Sequence, residues 1–238
     1  MDDSLEVRRM TTHKSLQRRL ILGLIIVSGC LTLMHTPAYP EAYIAGQFGI
    51  SVPGSLSSID VTSAGLSGVT FSDLDLQNSV LFGAKVGYFS QSVRWFGIEA
   101  EIFHTTPHVK QQDVTITGPG GSVTVPGVPG QYFSMLTLAP VNLVFRYTAK
   151  RFQPYFAVGP GIFFARLKDT QTGDSQSSTK LGLNMQVGLR YFMTRHVAFF
   201  GEYKFNYARL SFNETSNLDG FDATYSANNF VFGIGYHF

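Results

Sequence analysis

The sequence predicts an all-β fold, an eight-stranded antiparallel up-and-down transmembrane β-barrel behind an N-terminal signal peptide. Three observations predict it. Apolar and polar side chains alternate with a period of two over stretches of about ten residues, the connections between these stretches alternate between long and short, and charge is scarce. Charged residues make up 14% of the chain and aromatics 14%, with 24 glycines. An average soluble domain is roughly 25% charged, so this composition suits strands whose outer faces meet lipid.

At the start of the chain, Arg8, Arg9, Lys14, Arg18 and Arg19 precede an apolar run from Leu20 to Met34, followed by the small-residue sites Thr36-Pro37-Ala38 and Pro40-Glu41-Ala42. This is the pattern of a secretory signal. It assigns residues 1–38 to a signal peptide, with cleavage as late as 42, and residues 39–238 to the barrel domain. The apolar run falls short of the about 20 residues that a membrane-spanning helix needs. The only cysteine, Cys30, lies within Val27-Ser28-Gly29-Cys30, which resembles a lipidation site. Leu31 to Met34 continue the apolar run where a lipoprotein turns polar, so Cys30 is expected to leave with the leader. The five leader cations, set against Asp2, Asp3 and Glu6, account for the whole formal charge of +2, and the other 13 Lys and Arg balance 13 Asp and Glu. A barrel domain without net charge offers no basic face, which excludes nucleic acid as a partner.

The first strand covers about Tyr43 to Val52 and alternates loosely. In the second, Val80, Phe82, Ala84, Val86 and Tyr88 oppose Leu81, Gly83, Lys85 and Gly87; in the third, Phe96, Ile98, Ala100 and Ile102 oppose Gly97, Glu99, Glu101 and Phe103. The fourth (Tyr132 to Tyr147) and fifth (Pro154 to Arg166) are interrupted by Pro140 and Pro160. Proline has no ladder donor, so each is expected to mark a bulge. The sixth is the clearest: Leu181, Leu183, Met185, Val187, Leu189 and Tyr191 oppose Lys180, Gly182, Asn184, Gln186, Gly188 and Arg190. The seventh runs from Val197 to Ala208, with Phe199, Tyr203, Phe205 and Tyr207 opposing Phe200, Glu202, Lys204 and Asn206. The eighth, Tyr225 to Phe238, sets Phe230, Phe232, Ile234, Tyr236 and Phe238 against Asn229, Val231, Gly233, Gly235 and His237.

Long connections at 53–78, 106–130, 168–179 and 213–224 alternate with short ones at 90–94, 148–153 and 193–196. Membrane barrels carry short turns at the periplasmic end and longer loops outside. Tyr43, Tyr88, Phe96, Tyr147, Tyr155, Tyr191, Phe199 and Tyr236 all fall at the short-turn ends of their strands, as an interfacial girdle requires. The turns carry Arg94, Lys150, Arg151 and Arg195, whereas the loops carry Asp60, Asp73, Asp75, Asp113, Asp169, Asp174, Glu214, Asp219 and Asp222. In the second long loop, Val114–Thr117 and Ser122–Val125 flank Gly118-Pro119-Gly120-Gly121, the pattern of a hairpin with an exposed edge.

An eight-stranded barrel has an interior that side chains just fill. Lys85, Glu99, Glu101, Arg146, Arg190, Glu202 and Lys204 have inward parity and are expected to form a polar salt-bridge network there, because unpaired buried charges are severely penalised. A narrow ion path is the functional alternative. A carrier of apolar ligands would need its apolar face inside, the reverse of what these strands show.

The ending Gly233-Ile234-Gly235-Tyr236-His237-Phe238 resembles the C-terminal insertion signal of outer-membrane barrels, carried by Gly233, Tyr236 and Phe238. With the loop pattern, the chain resembles the OmpA/OmpX-like eight-stranded outer-membrane β-barrel family over essentially all of residues 39–238, and its short, barrel-only surface proteins in particular. The resemblance implies the cell outer membrane of a Gram-negative bacterium as the location and insertion by the barrel assembly machinery. It also implies a monomer among outer-membrane lipid and lipopolysaccharide, with an unspecified extracellular partner for the loops. It implies no fixed activity. Some barrels of this size modify lipid A with a Ser/His pair and an acid, but His104, His108, His196 and His237 stand in no such context. No catalytic residue is assigned. His104, His108 and Asp113 are poor grounds for a metal site, and no cofactor motif is present.

Overall fold

The computed structural model describes residues 42–61, 69–148, 151–168, 174–213 and 220–238. The leader with Cys30, and the loop and turn residues Lys150, Asp169, Glu214 and Asp219, lie outside the described residues. The strands are β1 (Ala42–Pro53), β2 (Ser57–Val61), β3 (Thr70–Phe71), β4 (Ser79–Phe89), β5 (Phe96–Thr105), β6 (Gln112–Gly118), β7 (Gly121–Val128), β8 (Tyr132–Arg146), β9 (Phe152–Lys168), β10 (Ser175–Phe192), β11 (Val197–Phe212) and β12 (Phe221–His237). Eight of them pair antiparallel in the order β1-β4-β5-β8-β9-β10-β11-β12, and β12 returns to β1 from Tyr43↔His237 to Pro53↔Ala227. Each strand thus neighbours the next barrel strand in the chain, and the sheet has no edge across the barrel. Among the described residues no helix is long and apolar enough to cross a membrane, so a crossing falls to these strands.

The alternation fixes two faces. Phe48, Phe82, Leu181, Phe232 and Ile234 are exposed, while their neighbours Gln47, Lys85, Asn184, Glu202 and Val231 are buried inside. The exposed apolar belt is one membrane thickness tall: on β10 it runs from Leu181 to Tyr191, and a tilted strand needs about 9–11 residues to cross. The first strand, loosely patterned in sequence, alternates strictly from Tyr43 to Ser51 because Gly46 and Gly49 keep the period without contributing bulk.

Pro140 marks a bulge as expected. Glu99 pairs with Asn142 and Glu101 with Ala139, so Pro140 and Val141 together oppose Ala100. Pro160 does not bulge its own strand. The β9–β10 register is unbroken across Leu183↔Pro160, and the pairing of β9 with β8 is interrupted only between Leu138 and Leu143, at the bulge of β8. One irregularity therefore accommodates both residues that lack a backbone donor.

The larger departure from expectation lies above the belt. β9 to β12 run well beyond the membrane, and the connections at 168–179 and 213–224 are correspondingly shorter than their sequence suggests. The loop at 53–78 contributes β2 and β3, and the hairpin of β6 and β7 pairs from Gln112↔Val128 to Gly118↔Gly121. β2 pairs with the outer end of β12, β3 with β2, and β6 with β3. Ser58, with a φ of 53°, is the extra residue of a bulge against β12 that turns Ile59 into the interior. Leu56 pairs with Leu74 and Leu76 with Val109. The Val109 amide then donates to the Gln131 carbonyl at 3.0 Å, which carries the wall back to the start of β8. The barrel continues as a closed outer storey.

In this storey the polarity inverts. Outward positions become polar: Ser134, Arg166 and Lys168, Ser175 and Ser177, Arg209 and Ser211, Asp222 and Thr224. Most inward positions become apolar, and Leu56, Phe133, Met135, Phe163, Leu210, Phe212 and Tyr225 form one buried cluster, whereas β10 places Gln176 and Ser178 inward. On β11 the change falls between Asn206 and Ala208 inside and between Tyr207 and Arg209 outside. Within lipid the strand hides polar groups; above it the same strand hides apolar ones, each buried Phe contributing about 1.5–3 kcal/mol. Among the described residues, buried charged side chains are confined to the membrane-spanning half, where they share the interior with Tyr43, Phe89, Phe103 and Phe200.

The inversion is testable on β10. Val187→Arg, lipid-facing at the level of the Gln186 side chain, is expected to cost about 2–4 kcal/mol in urea titrations of protein refolded into vesicles. Ser177→Arg, outward on the same strand but above the belt, is expected to stay within about 0.5 kcal/mol.

Candidate functional site: the charged centre of the barrel

Inward parity brings Lys85 from β4, Glu99 and Glu101 from β5, and Glu202 and Lys204 from β11 to one level, all of them fully buried. Lys85 Nζ lies 3.1 Å from Glu99 Oε1, 2.6 Å from Glu202 Oε1 and 3.8 Å from Glu101 Oε2. Lys204 Nζ pairs with Glu101 and lies 3.0 Å from Glu202 Oε2. The three carboxylates thus share two ammonium groups. Tyr43 donates its hydroxyl to Glu99, and Tyr155 donates to Glu202.

Arg190 supplies the third cation one layer nearer the short turns. It is buried, and its guanidinium carbon lies 4.3 Å from the Tyr43 ring centroid and 5.3 Å from that of Tyr155, the two phenols that bond the carboxylates. With Arg190 the buried centre holds three positive and three negative groups, the condition under which burial of so many charges is tolerable. Arg146 is placed differently from the other six. It is half-buried at the inner rim, donates from Nε to the Arg94 carbonyl at 2.8 Å, and lies with its guanidinium carbon 3.5 Å from the Phe89 ring centroid.

Neutral side chains complete the centre. Gln186 accepts from Lys204 Nζ at 2.7 Å and donates to Glu99 Oε1 at 2.6 Å. Asn229 donates to Asn206, and Asn206 to Asn184, each at 2.7 Å; Asn184 donates to Glu101 Oε1 at 2.7 Å and to Asn142 at 3.0 Å. This amide ladder crosses β12, β11, β10 and β8. The signal for it is present in the sequence, since each of these Asn occupies an inward position, but attention to charge alone passes over it. Two residues of the expected girdle also belong here. Tyr43 and Tyr155 point inward, because the carboxylates above them need donors that the lipid face cannot use. Tyr88, Tyr147, Phe199 and Tyr236 remain on the exposed face, joined by Trp95, Phe152 and Phe238.

Space for these side chains comes from glycine. A Cβ on Gly188 would stand 2.7 Å from the Tyr155 ring and 2.8 Å from Glu202 Cγ. One on Gly233 would stand 2.1 Å from the Phe200 ring, so this member of the C-terminal signal also has a packing task inside the barrel. Tyr236 and Phe238 face outward beside each other, with ring centroids 5.2 Å apart.

The histidines are dispersed. His104 lies against Phe82 on the lipid face, and His108 Nδ1 accepts from the Phe133 amide at 3.3 Å. His196 lies near Tyr236 at the inner rim, and His237 is buried between Tyr43 and Phe192. Among the described residues no group of three His, Cys, Asp or Glu side chains is arranged to hold a metal ion.

The profile of the outer membrane protein β-barrel domain family matches residues 26–238. Neisserial surface protein A (NspA) superposes with a TM-score of 0.55 at 12% identity, covering 83% of this chain and 97% of that one. OprG from Pseudomonas aeruginosa gives 0.52 at 16% identity, covering 84% and 98%. The outer membrane protease OmpT from Escherichia coli gives 0.50 at 10% identity, covering 86% and 99%. At such identities the likeness is one of fold. No curated protein sequence matches this chain.

The charge balance sets an expectation for mutants. Lys204→Met leaves Glu101 and Glu202 short of a cation and is expected to destabilise the refolded protein by about 3–5 kcal/mol. Adding Glu101→Gln restores neutrality and is expected to recover more than half of that loss in the same urea titration.

Proposed function

Since the chain belongs to the outer membrane protein β-barrel domain family and resides in the outer membrane, we propose that it is a plugged surface barrel without enzymatic activity, whose outer storey presents a binding or adhesion surface to the exterior. The observation that carries this reading is the stacking of two filled layers inside one wall. The hydrogen-bonded charges of the centre lie in line with the apolar cluster of Phe133, Phe163, Leu210 and Phe212 above them. A water-filled path would have to break both. The outer storey is also more than a set of connections. Its paired strands hold exposed residues on a hydrogen-bonded support, the kind of scaffold on which recognition is commonly placed.

The non-enzymatic reading is supported by the engagement of His104, His108, His196 and His237 with aromatic rings or a backbone amide. Protease activity is a property of OmpT, and a fold likeness does not carry it here. The reading includes four further expectations: a monomer, insertion by the barrel assembly machinery through Gly233, Tyr236 and Phe238, contact with lipopolysaccharide around the outer wall, and an extracellular partner for the outer storey. The free edge of β7, exposed along most of its length, suits an extended segment of that partner.

Planar-bilayer recording of the refolded protein tests the plug. Silence is expected for the intact chain. Steady, discrete conductance would support the narrow-pore alternative, and altered lipid A mass in cells expressing the protein would support a lipid-modifying enzyme.

A further inference from the structure

The short-turn end of the barrel carries a concavity that the centre does not use. Its volume is about 410 Å³, and Arg151, Gln153, Phe192, Met193, Thr194 and Arg195 line it. Arg151 stands at the start of β9, and Arg195 in the turn from β10 to β11. The two segments are tied together: the Phe192 amide donates to the Arg151 carbonyl at 2.9 Å, and Thr194 Oγ1 accepts from the Val197 amide at 2.9 Å. The pocket is a shaped feature of the rim.

Its chemistry is amphipathic. Arg151, Gln153, Thr194 and Arg195 bring polar groups to the lining, Met193 is more than half exposed, and the rings of Phe152 and Tyr191 lie 4.7 Å apart at the same end of their strands. No Asp or Glu occurs within 90–95, 147–153 or 193–196. Glu99 and Glu202 lie in the buried centre with their charge matched there, and the terminal residue Phe238 is held at the same rim by its amide's bond to the Ala42 carbonyl at 2.9 Å. Among the described residues, the side chains of these turns carry positive charge without an Asp or Glu side chain of their own. Short turns mark the periplasmic face, so this rim sits among the head groups of the inner leaflet, and basic pockets at that depth suit phosphorylated head groups.

We propose that the concavity between Arg151 and Arg195 binds the phosphodiester head group of an anionic phospholipid of the inner leaflet, with the acyl chains following Met193, Phe152 and Tyr191 down the lipid face. Arginine suits the task, since its fork of donors matches two phosphate oxygens at once. The bound lipid would add a ligand at the join of β9, β10 and β11 and fix the height of the barrel in the membrane.

The test uses the whole barrel, purified from membranes and reconstituted in discs of phosphatidylethanolamine with a minority of phosphatidylglycerol. Native mass spectrometry then reads the lipids retained. The intact protein is expected to retain phosphatidylglycerol at roughly ten times its share of the disc, and the double variant R151Q/R195Q at its plain share. An unchanged boiled-against-unboiled gel shift would show that the variant is folded, and R151Q and R195Q taken singly are expected to fall between. R94Q, in the turn between β4 and β5 and outside the lining, is expected to behave as the intact protein. The proposal is overturned if the intact protein retains both lipids alike, if the double variant keeps the preference, or if R94Q loses as much, since general rim charge would then suffice. Displacement of phosphatidylglycerol by inorganic phosphate alone would likewise overturn it, assigning the pocket to a soluble anion.

Discussion

A backbone in hydrocarbon has no water to satisfy its N–H and C=O groups, and the pairing of β12 with β1 answers that constraint. Closure determines most of what else is seen. It seals a volume that neither lipid nor bulk water readily reaches, so every polar group placed there must be met by another side chain. The centre meets this demand by arithmetic as well as geometry: Lys85, Lys204 and Arg190 against Glu99, Glu101 and Glu202, with Tyr43, Tyr155, Gln186 and the Asn ladder taking up remaining donors and acceptors. Glycines such as Gly188 keep the wall thin where large inward side chains crowd it.

A second constraint is that one strand crosses two solvents. Along β11, Phe199, Tyr203 and Tyr207 face lipid and Arg209 and Ser211 face water, while the interior changes from Lys204 and Asn206 to Leu210 and Phe212. Secondary structure continues through the change, and only the phase of the alternation shifts. The outer storey is thus built like a water-soluble β-structure, with a packed apolar core in which burial raises the Tyr225 phenol above its ordinary pKa. This arrangement continues the membrane-crossing strands into the outer storey without a linker.

Much of this was legible in the sequence, and the exceptions share a cause. The eight membrane-crossing stretches, the inward charges and the alternation of connection lengths all follow from a period of two read with one phase. Where the phase inverts, that reading ends the strand too soon: it stops β11 at Ala208, although the strand continues to Phe212. Tyr43 and Tyr155 read as girdle residues in the sequence because an amphipathic ring fits either face, and only their bonds to Glu99 and Glu202 decide between them. Pro160 keeps its place in the alternation because the bulge belongs to its neighbour, and the pairing across β8 and β9 that determines this is long-range information.

Polarity inverts along continuous strands that enclose a filled interior. Nitroxide labels at single cysteines placed along β11 in the reconstituted protein test this most directly, through their accessibility to oxygen, which concentrates in lipid, and to a water-soluble nickel chelate. Oxygen access is expected at 199, 203 and 207, nickel access at 209 and 211, and access to neither reagent at 204, 206, 208 and 210. Oxygen access at 209 and 211 would extend the lipid belt to the strand end and contradict the inversion, and nickel access at 204 and 206 would reveal a water-filled channel where the plug is placed.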